Sequence, residues 1–253
     1  MHFTVTADTD IGNTKATNQD SIIYKLGQYS GGQILMAIVC DGMGGLSKGE
    51  LASATVVKAF SDWFDNELPY ELERPDLHII GGKWSLILKD LNVKIIEYAQ
   101  KNGITMGTTF TGALFLGDEY LVVHVGDTRF YQLSSELLQI TNDHTFISRE
   151  IAKGTISPEQ ANTDKRRNIL LQCVGASEQV EPDVIIGKIE KGTFFICSDG
   201  FRHEITPHEI VDYFSSEKLN NKEIMHYNSK TLIELAKQRD EKDNISVILI
   251  KAE

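Results

Sequence analysis

The chain has 253 residues, of which 41% are hydrophobic and 24% are charged, values typical of a globular protein with a sizeable core. Its formal net charge of −11 argues against a nucleic-acid partner and against binding to an anionic membrane. No signal peptide opens the chain, and no apolar run approaches the roughly 20 residues of a membrane helix, so a cytoplasmic protein is expected. Without low-complexity runs or proline-rich linkers, residues 1–253 are predicted to form one domain.

The chain contains three cysteines, Cys40, Cys173 and Cys197. An odd number without metal-ligand spacing argues against both a disulfide framework and a thiolate metal site. Cys40 and Cys197 lie inside apolar, strand-like runs, where a thiol behaves as a small hydrophobic group. We expect reduced, structural cysteines, which fits a cytosolic protein.

In the first half of the chain, strands are followed by helices. Strands are predicted at residues 3–6, 21–26 and 34–40. The spacing of apolar residues predicts a helix over residues 49–64 and a second from about Trp84 to Gln100, ending at Asn102-Gly103. The segment between these helices, which includes Gly81-Gly82, is expected to be connecting loop.

The second half begins with two predicted hairpins and ends with helices and a last strand. Turn residues separate the strand-like runs 108–116 and 120–125, and the runs 129–133 and 137–141. Further predicted elements are short helices at 146–153 and 158–162, strands at 184–189 and 193–197, helices at 207–215 and 221–239, and a strand at 245–250. Helices thus group between runs of hairpin-connected strands, which indicates an α+β fold with antiparallel sheets.

Aspartates recur at the ends of the predicted strands. Asp41, Asp127 and Asp199 each follow a strand-like run, whereas Asp20 and Asp243 each precede one, with no matching number of Lys or Arg in these turns. Asp is common in turns, so turn chemistry alone explains any single one of them. Asn, Ser or Gly would serve a turn equally well, however, and carboxylates that converge need a cation between them. Together the five predict a site for a hard divalent metal.

The order of these motifs resembles that of the metal-dependent (type 2C) serine/threonine protein phosphatases, and most closely their bacterial branch. The resemblance extends from about residue 8 to residue 250. The segments that carry it are residues 10–21, 41–45, 49–53, 106–109, 125–129, 143–145, 197–200 and 243–246.

The resemblance implies a sandwich of two antiparallel β-sheets flanked on each outer face by α-helices. It implies hydrolysis of phosphoserine and phosphothreonine by a metal-bridging water, with two Mn²⁺ or Mg²⁺ ions and a third, weaker ion. All-oxygen ligand sets do suit these ions. The segment at about 146–173 would form a flap beside the cleft.

The resemblance also assigns the site residues. The two ions would be held by four catalytic carboxylates and one backbone carbonyl: Asp20, Asp41, Asp199, Asp243 and Gly42. Asp127 would help hold the third ion. Lys15 stands where the family has a phosphate-binding Arg, which keeps the charge but loses the two-pronged hydrogen bonding of a guanidinium. Met43 and Leu46 stand where many members have His, so no histidine general acid is evident.

Three other polar residues are interpreted as structural. His144 is expected to pack at the base of the flap, and His124, inside an apolar run, to be a satisfied core or edge residue. Glu50 is expected to start its helix, where negative charge is favoured.

Two other functions share parts of this pattern. A phosphatase-like binding module with little turnover would show lost metal ligands, yet every ligand position here is filled. A two-metal nuclease would need a basic track, which the net charge of −11 opposes. The expected partners are phosphorylated proteins and a cognate Ser/Thr kinase system, and a monomer is expected.

Overall fold

The computed structural model describes residues 1–43, 48–161, 164, 166–167 and 169–253, without the side chain of Pro158. Its strands are β1 Phe3–Asp10, β2 Ser21–Tyr29, β3 Gly32–Cys40, β4 Phe110–Leu116, β5 Glu119–Val125, β6 Arg129–Leu133, β7 Leu137–Gln139, β8 Asp183–Lys188, β9 Gly192–Cys197 and β10 Ile245–Ala252. Its helices are α1 Gly49–Asn66, α2 Leu68–Glu71, α3 Leu77–Asn102, α4 Phe146–Ala152, α5 Pro158–Ala161, α6 Asp199–Arg202, α7 Pro207–Phe214 and α8 Lys222–Gln238. The end of the predicted motif 41–45, the assignment of Leu46 and the end of the helix predicted at 158–162 lie outside the described residues.

Two antiparallel sheets form the centre of the fold. One has the strand order β1-β10-β9-β6-β7 and the other β2-β3-β4-β5-β8. Alternate residues of each strand point inward, so that Val5, Phe130 and Phe194 of the first sheet meet Val39 and Phe115 of the second in one buried cluster. The predicted α+β sandwich is confirmed.

Amphipathic helices cover both outer faces of the sandwich. α1 and α3 pack on the second sheet, where Phe60, Trp63 and Trp84 are buried with ring centroids 5.0–5.3 Å apart. α7 and α8 cover the first sheet, and Phe201 stacks on Phe214 there at 5.9 Å. Among the described residues, no helix combines the length and the apolar character that crossing a bilayer requires.

Helix α3 is longer than the sequence predicted. It begins at Leu77 because the Asp76 side chain accepts hydrogen bonds from the backbone N–H groups of His78 (2.8 Å) and Ile79 (3.3 Å). Gly81, predicted to be loop, lies inside the helix, and a Cβ there would come 2.7 Å from Val184 and 3.0 Å from Leu121 of the sheet. Glycine was therefore a signal of close helix–sheet packing, not of a loop.

Other predictions are confirmed or refined. Cys40, Cys173 and Cys197 are free and buried, as expected of structural thiols. Glu50 lies in the first turn of α1. Asp199, expected in a simple turn, instead begins the one-turn helix α6.

Candidate functional site

Five aspartates from both sheets meet at one end of the sandwich. Asp20 enters β2, Asp41 leaves β3 and Asp127 leaves β5, while Asp199 and Asp243 flank β9 and β10 of the other sheet. They lie close enough to act on one another electrically. Burial raises the pKa of Asp41 well above its ordinary value, and the charges of the other four carboxylates raise it further.

Asp20 is distinguished by a carboxylate that is shielded from solvent at both oxygens. Both of its oxygens are buried without a hydrogen-bond partner, and so is Oδ1 of Asp199. Burial raises the pKa of Asp20 to about 7, and the charges of Asp199 and Asp243 act in the same direction. The hydroxyls of Ser198 and Ser246 lie near enough to lower this pKa, but neither makes a hydrogen bond of acceptable geometry. Buried carboxylate oxygens without partners are costly unless a cation occupies the site.

The backbone at Asp41 is fixed by the start of β4. Thr109 Oγ1 accepts a hydrogen bond from Asp41 N at 2.9 Å, and Thr109 N donates to Asp41 O at 2.9 Å. Gly42 follows in a gap that admits no side chain, since a Cβ there would lie 2.4 Å from Gln19 O and 2.6 Å from the Gly49 backbone. Close packing as well as hydrogen bonds thus hold the backbone at Asp41 and Gly42.

Asn244 connects the loop before β2 to the strand β10. Its side-chain N–H group donates to Ile11 O (2.9 Å) and Thr17 O (3.2 Å), and its Oδ1 accepts from Gln19 N (2.9 Å). Asn244 is buried. It therefore fixes the loop that carries Lys15 against the strand that carries the neighbouring aspartate.

Lys15 lies within the aspartate cluster. Its Nζ is 2.6 Å from Oδ1 of Asp243. Burial alone would lower the pKa of Lys15, but the hydrogen bond and charge of Asp243, with the charges of Asp41 and Asp199, raise it overall. The structure thus places the predicted phosphate-binding cation beside a predicted metal ligand.

A second cation reaches the cluster from α6. Arg202 Nη2 donates to the backbone carbonyl of Asp127 at 3.2 Å and lies 3.8 Å from Asp127 Oδ2. The same nitrogen is 3.5 Å from Asp143 Oδ2, and Asp143 is held by two parallel hydrogen bonds from Arg129, at 2.7 and 2.8 Å. The acidic turns hold no matching number of Lys or Arg, and the cations Lys15 and Arg202 approach the aspartates from positions outside those turns.

His203 stands on the other side of Asp199. Its Nε2 lies 3.6 Å from Asp199 Oδ2 and its Nδ1 lies 3.4 Å from Glu241 Oε2. Burial would lower the pKa of His203, but the hydrogen bond to Glu241 and the charge of Asp199 raise it overall. Glu241 also accepts from the backbone N–H of Asp243 at 2.8 Å, which links two of the predicted ligands through one buried carboxylate.

The two histidines interpreted as structural have structural partners. His124 is buried between β4 and β8, with Nδ1 2.8 Å from Thr111 Oγ1 and Nε2 3.1 Å from Asn142 O. His144 Nδ1 is contacted by two donors, Gly126 N (3.2 Å) and Gln172 Nε2 (2.8 Å), so its Nε2 carries the proton and donates to an aspartate, Asp183 Oδ2, at 3.1 Å. Neither ring is directed into the aspartate cluster by these bonds.

The oxygen donors of the cluster suit a hard divalent ion, although the side chains are not yet close enough together to surround one. Among the described residues, no three His, Cys, Asp or Glu side chains form a ready-made group that could hold a metal ion. The donors are nevertheless carboxylate oxygens, three of them buried without partners. Such oxygens fit Mg²⁺ or Mn²⁺ and not Zn²⁺, which prefers nitrogen and sulfur.

Comparison with known proteins agrees with this arrangement. A family model described as protein phosphatase 2C matches residues 12–230. The chain belongs to the protein phosphatase 2C family. It is 31% identical over 246 residues to the serine/threonine protein phosphatase PstP of Mycobacterium tuberculosis, an alignment that covers 96% of this chain and 44% of PstP. The chain thus spans less than half the length of that relative.

Solved phosphatase 2C structures share the whole fold. The serine/threonine phosphatase of S. agalactiae superposes with a TM-score of 0.86 at 29% identity, over 100% of both chains. The catalytic domain of PstP, solved in complex with two manganese ions, superposes with a TM-score of 0.75 at 28% identity, over 98% of this chain and 97% of that one.

Three polar residues of the site were missed by the sequence analysis. Arg202 and His203 follow Asp199 by three and four positions, a spacing that returns to the same side of a helix. This spacing is informative only within a helix, and the four residues of α6 are too few for the sequence pattern to predict one. Asn244 belongs to the motif at residues 243–246, but its role as a link between loop and strand depends on tertiary contacts.

Proposed function

We propose that this phosphatase 2C family member is a metal-dependent serine/threonine protein phosphatase. Its substrates would be phosphoserine and phosphothreonine side chains of proteins, supplied by a Ser/Thr kinase in the same compartment. Three buried free cysteines are compatible with the reducing cytosol as that compartment.

One observation carries the proposal. The carboxylate of Asp20 is buried with both oxygens unpartnered among four further aspartates, and the charges of Asp199 and Asp243 raise the pKa of Asp20. Assembling such a cluster costs folding free energy through desolvation and repulsion. A site with that cost is typical of cation binding, and it is unexplained by turn chemistry.

The proposed ligands are Asp20, Asp41, the Gly42 carbonyl, Asp199 and Asp243. Two divalent ions held there would lower the pKa of a shared water and neutralise charge on the phosphoryl group. Thr109 and Asn244 fix the backbone around these ligands. Lys15, from the loop that Asn244 holds, would attract the substrate phosphate as a point charge.

We further propose that residues 1–253 act as one catalytic domain with a flap at about 146–173. The ends of that segment meet, since Phe146 N donates to Ile169 O at 2.8 Å and Leu171 N donates to His144 O at 2.7 Å. A cavity of about 450 Å³ separates α4 from Asp127. A phosphopeptide entering this cleft would contact both the flap and the aspartate cluster.

The test is hydrolysis of p-nitrophenyl phosphate and of a phosphoserine/phosphothreonine peptide set by the full chain. Rates are compared in Mn²⁺, in Mg²⁺ and in excess EDTA. We expect turnover of both substrate types with either ion and none with EDTA. Undiminished turnover in EDTA would contradict the two-metal proposal. Metal binding without turnover of any phosphopeptide would favour a binding module.

A further inference from the structure

The carboxylate of Asp127 is set apart from the other four by its neighbour. The guanidinium of Arg202 lies beside it, with Nη2 3.8 Å from Asp127 Oδ2 and 3.2 Å from Asp127 O. Both side chains are largely buried, with exposed fractions of 12% for Asp127 and 14% for Arg202. Attraction between charges shielded in this way is screened by solvent much less than in a surface pair.

The position of Arg202 is fixed by the fold. It ends the one-turn helix α6, whose Phe201 is buried against Phe214 with ring centroids 5.9 Å apart. Gly200 of the same helix lies so close to β10 that a Cβ would meet Asn244 O at 2.2 Å. Close packing thus holds the helix against β10 and α7, and Arg202 is directed toward Asp127 and Asp143.

Arg202 lies near two carboxylates, and one of them, Asp143, has a second cationic partner. Asp143 is already neutralised by two hydrogen bonds from Arg129, at 2.7 and 2.8 Å. Arg202 Nη2 lies 3.5 Å from Asp143 Oδ2, farther than Arg129 does, and Arg202 Nε is buried without a partner. The charge of the Arg202 guanidinium is thus shared between Asp143, which Arg129 also pairs, and Asp127.

We propose that Arg202 is the resident cation of the Asp127 side of the site and takes the place of the third metal ion. A divalent ion and a guanidinium repel one another, so an ion at Asp127 would have to displace a side chain that the fold holds in place. Asp127 is then neutralised from within the chain, and the site takes two ions instead of three. This inference rests on the proposed two-metal function.

The experiment counts Mn²⁺ ions bound per chain, by equilibrium dialysis with elemental analysis, for folded full-length variants. We expect two ions for the parent chain and for Arg202→Lys, which keeps the charge. Arg202→Met, similar in length without the charge, should gain a third ion with at least about tenfold tighter affinity than any third ion of the parent. Arg202→Met combined with Asp127→Asn should return to two.

A second variant keeps the test decisive if Arg202→Met does not fold. Asp127→Asn alone should leave the Mn²⁺ count at two, because Asp127 holds no ion in the parent. Loss of one ion in Asp127→Asn, or an equal third-ion affinity in the parent and Arg202→Met, overturns the inference while the two-metal function stands. A parent chain that binds no Mn²⁺ overturns both.

Discussion

Lys15 Nζ lies 2.6 Å from Oδ1 of Asp243, so the cation assigned to the substrate phosphate also neutralises a predicted metal ligand. The two partners come from opposite ends of the sequence, and Asn244 holds them together through the loop before β2. An ion held by Asp243 would compete with Lys15 for the same oxygen. Binding of an ion there would therefore free Lys15 for phosphate.

Lys15→Ala is expected to raise KM for a phosphopeptide about tenfold or more, with a smaller change in kcat. A charged hydrogen bond contributes about 1.5–3 kcal/mol, and about 1.4 kcal/mol corresponds to a factor of ten. Removing the competitor of the ion should also tighten Mn²⁺ binding. Steady-state kinetics at low salt and a metal titration measure the two effects, with Lys15→Arg as the charge-retaining control. Unchanged KM in Lys15→Ala would show that Lys15 serves only its ion pair with Asp243.

Asp199→Asn is expected to lose most of the thermal stabilisation that Mn²⁺ gives the parent chain. Its Oδ1 is buried without a protein partner, so an amide there removes charge from the site without removing a hydrogen bond from that oxygen. Turnover should fall by orders of magnitude. The matched control is Asp62→Asn on α1, where the exposed carboxylate pairs with Lys58 one turn earlier. Equal Mn²⁺-induced shifts of Tm in both variants would remove Asp199 from the ligand set.

Asp20→Asn should stabilise the metal-free chain at alkaline pH. An acid whose folded pKa is about 7, above the ordinary 3.8, contributes stability that is complete below pH 3.8 and lost as the pH rises through 7. In EDTA the variant should match the parent near pH 4 and exceed its Tm by about 5 °C or more at pH 8, since 1 kcal/mol shifts Tm by about 2–4 °C at this size.

Asp20→Asn should also lose the stabilisation that Mn²⁺ gives at pH 8, because a neutral amide cannot replace a negatively charged carboxylate ligand. Comparing parent and variant at each pH cancels the titration of every other group, including that of His124, whose pKa burial lowers to about 4. A Tm difference in EDTA that is independent of pH would show that Asp20 is already ionised in the metal-free fold.

Asn244→Ala is expected to weaken Mn²⁺ binding as well as folding. The variant loses three hydrogen bonds to the backbone of residues 11–19, which should lower the free energy of unfolding by about 2–4 kcal/mol. Asn228→Ala is the matched control, since Asn228 is also buried but donates one hydrogen bond, to Tyr213 O, away from the aspartates. Denaturant unfolding and Mn²⁺ titration of both variants measure the effects. A metal affinity equally unchanged in both would limit Asn244 to a structural role.

The family and the sandwich could be read from the sequence because their signals are local. Strand alternation, hairpin turns and the order of the aspartate motifs depend on residues close together in the chain. Helix α3 was predicted to begin too late because Gly81 reads locally as a loop residue, whereas its contact with Leu121 depends on the sheet beneath. Which aspartates gather in one place also followed from the sequence, since each sits at a strand end.

The charges around those aspartates were decided only by the tertiary structure. Lys15 reaches Asp243 across 228 positions of the chain, and Arg202 reaches Asp127 across 75. Electrostatic attraction depends on distance in space and on burial, and neither is encoded by spacing along a loop. The sequence by itself therefore determined the family, the sheets and the acidic cluster. The fold determined how that cluster is neutralised, because only packing brings Lys15 and Arg202 to it.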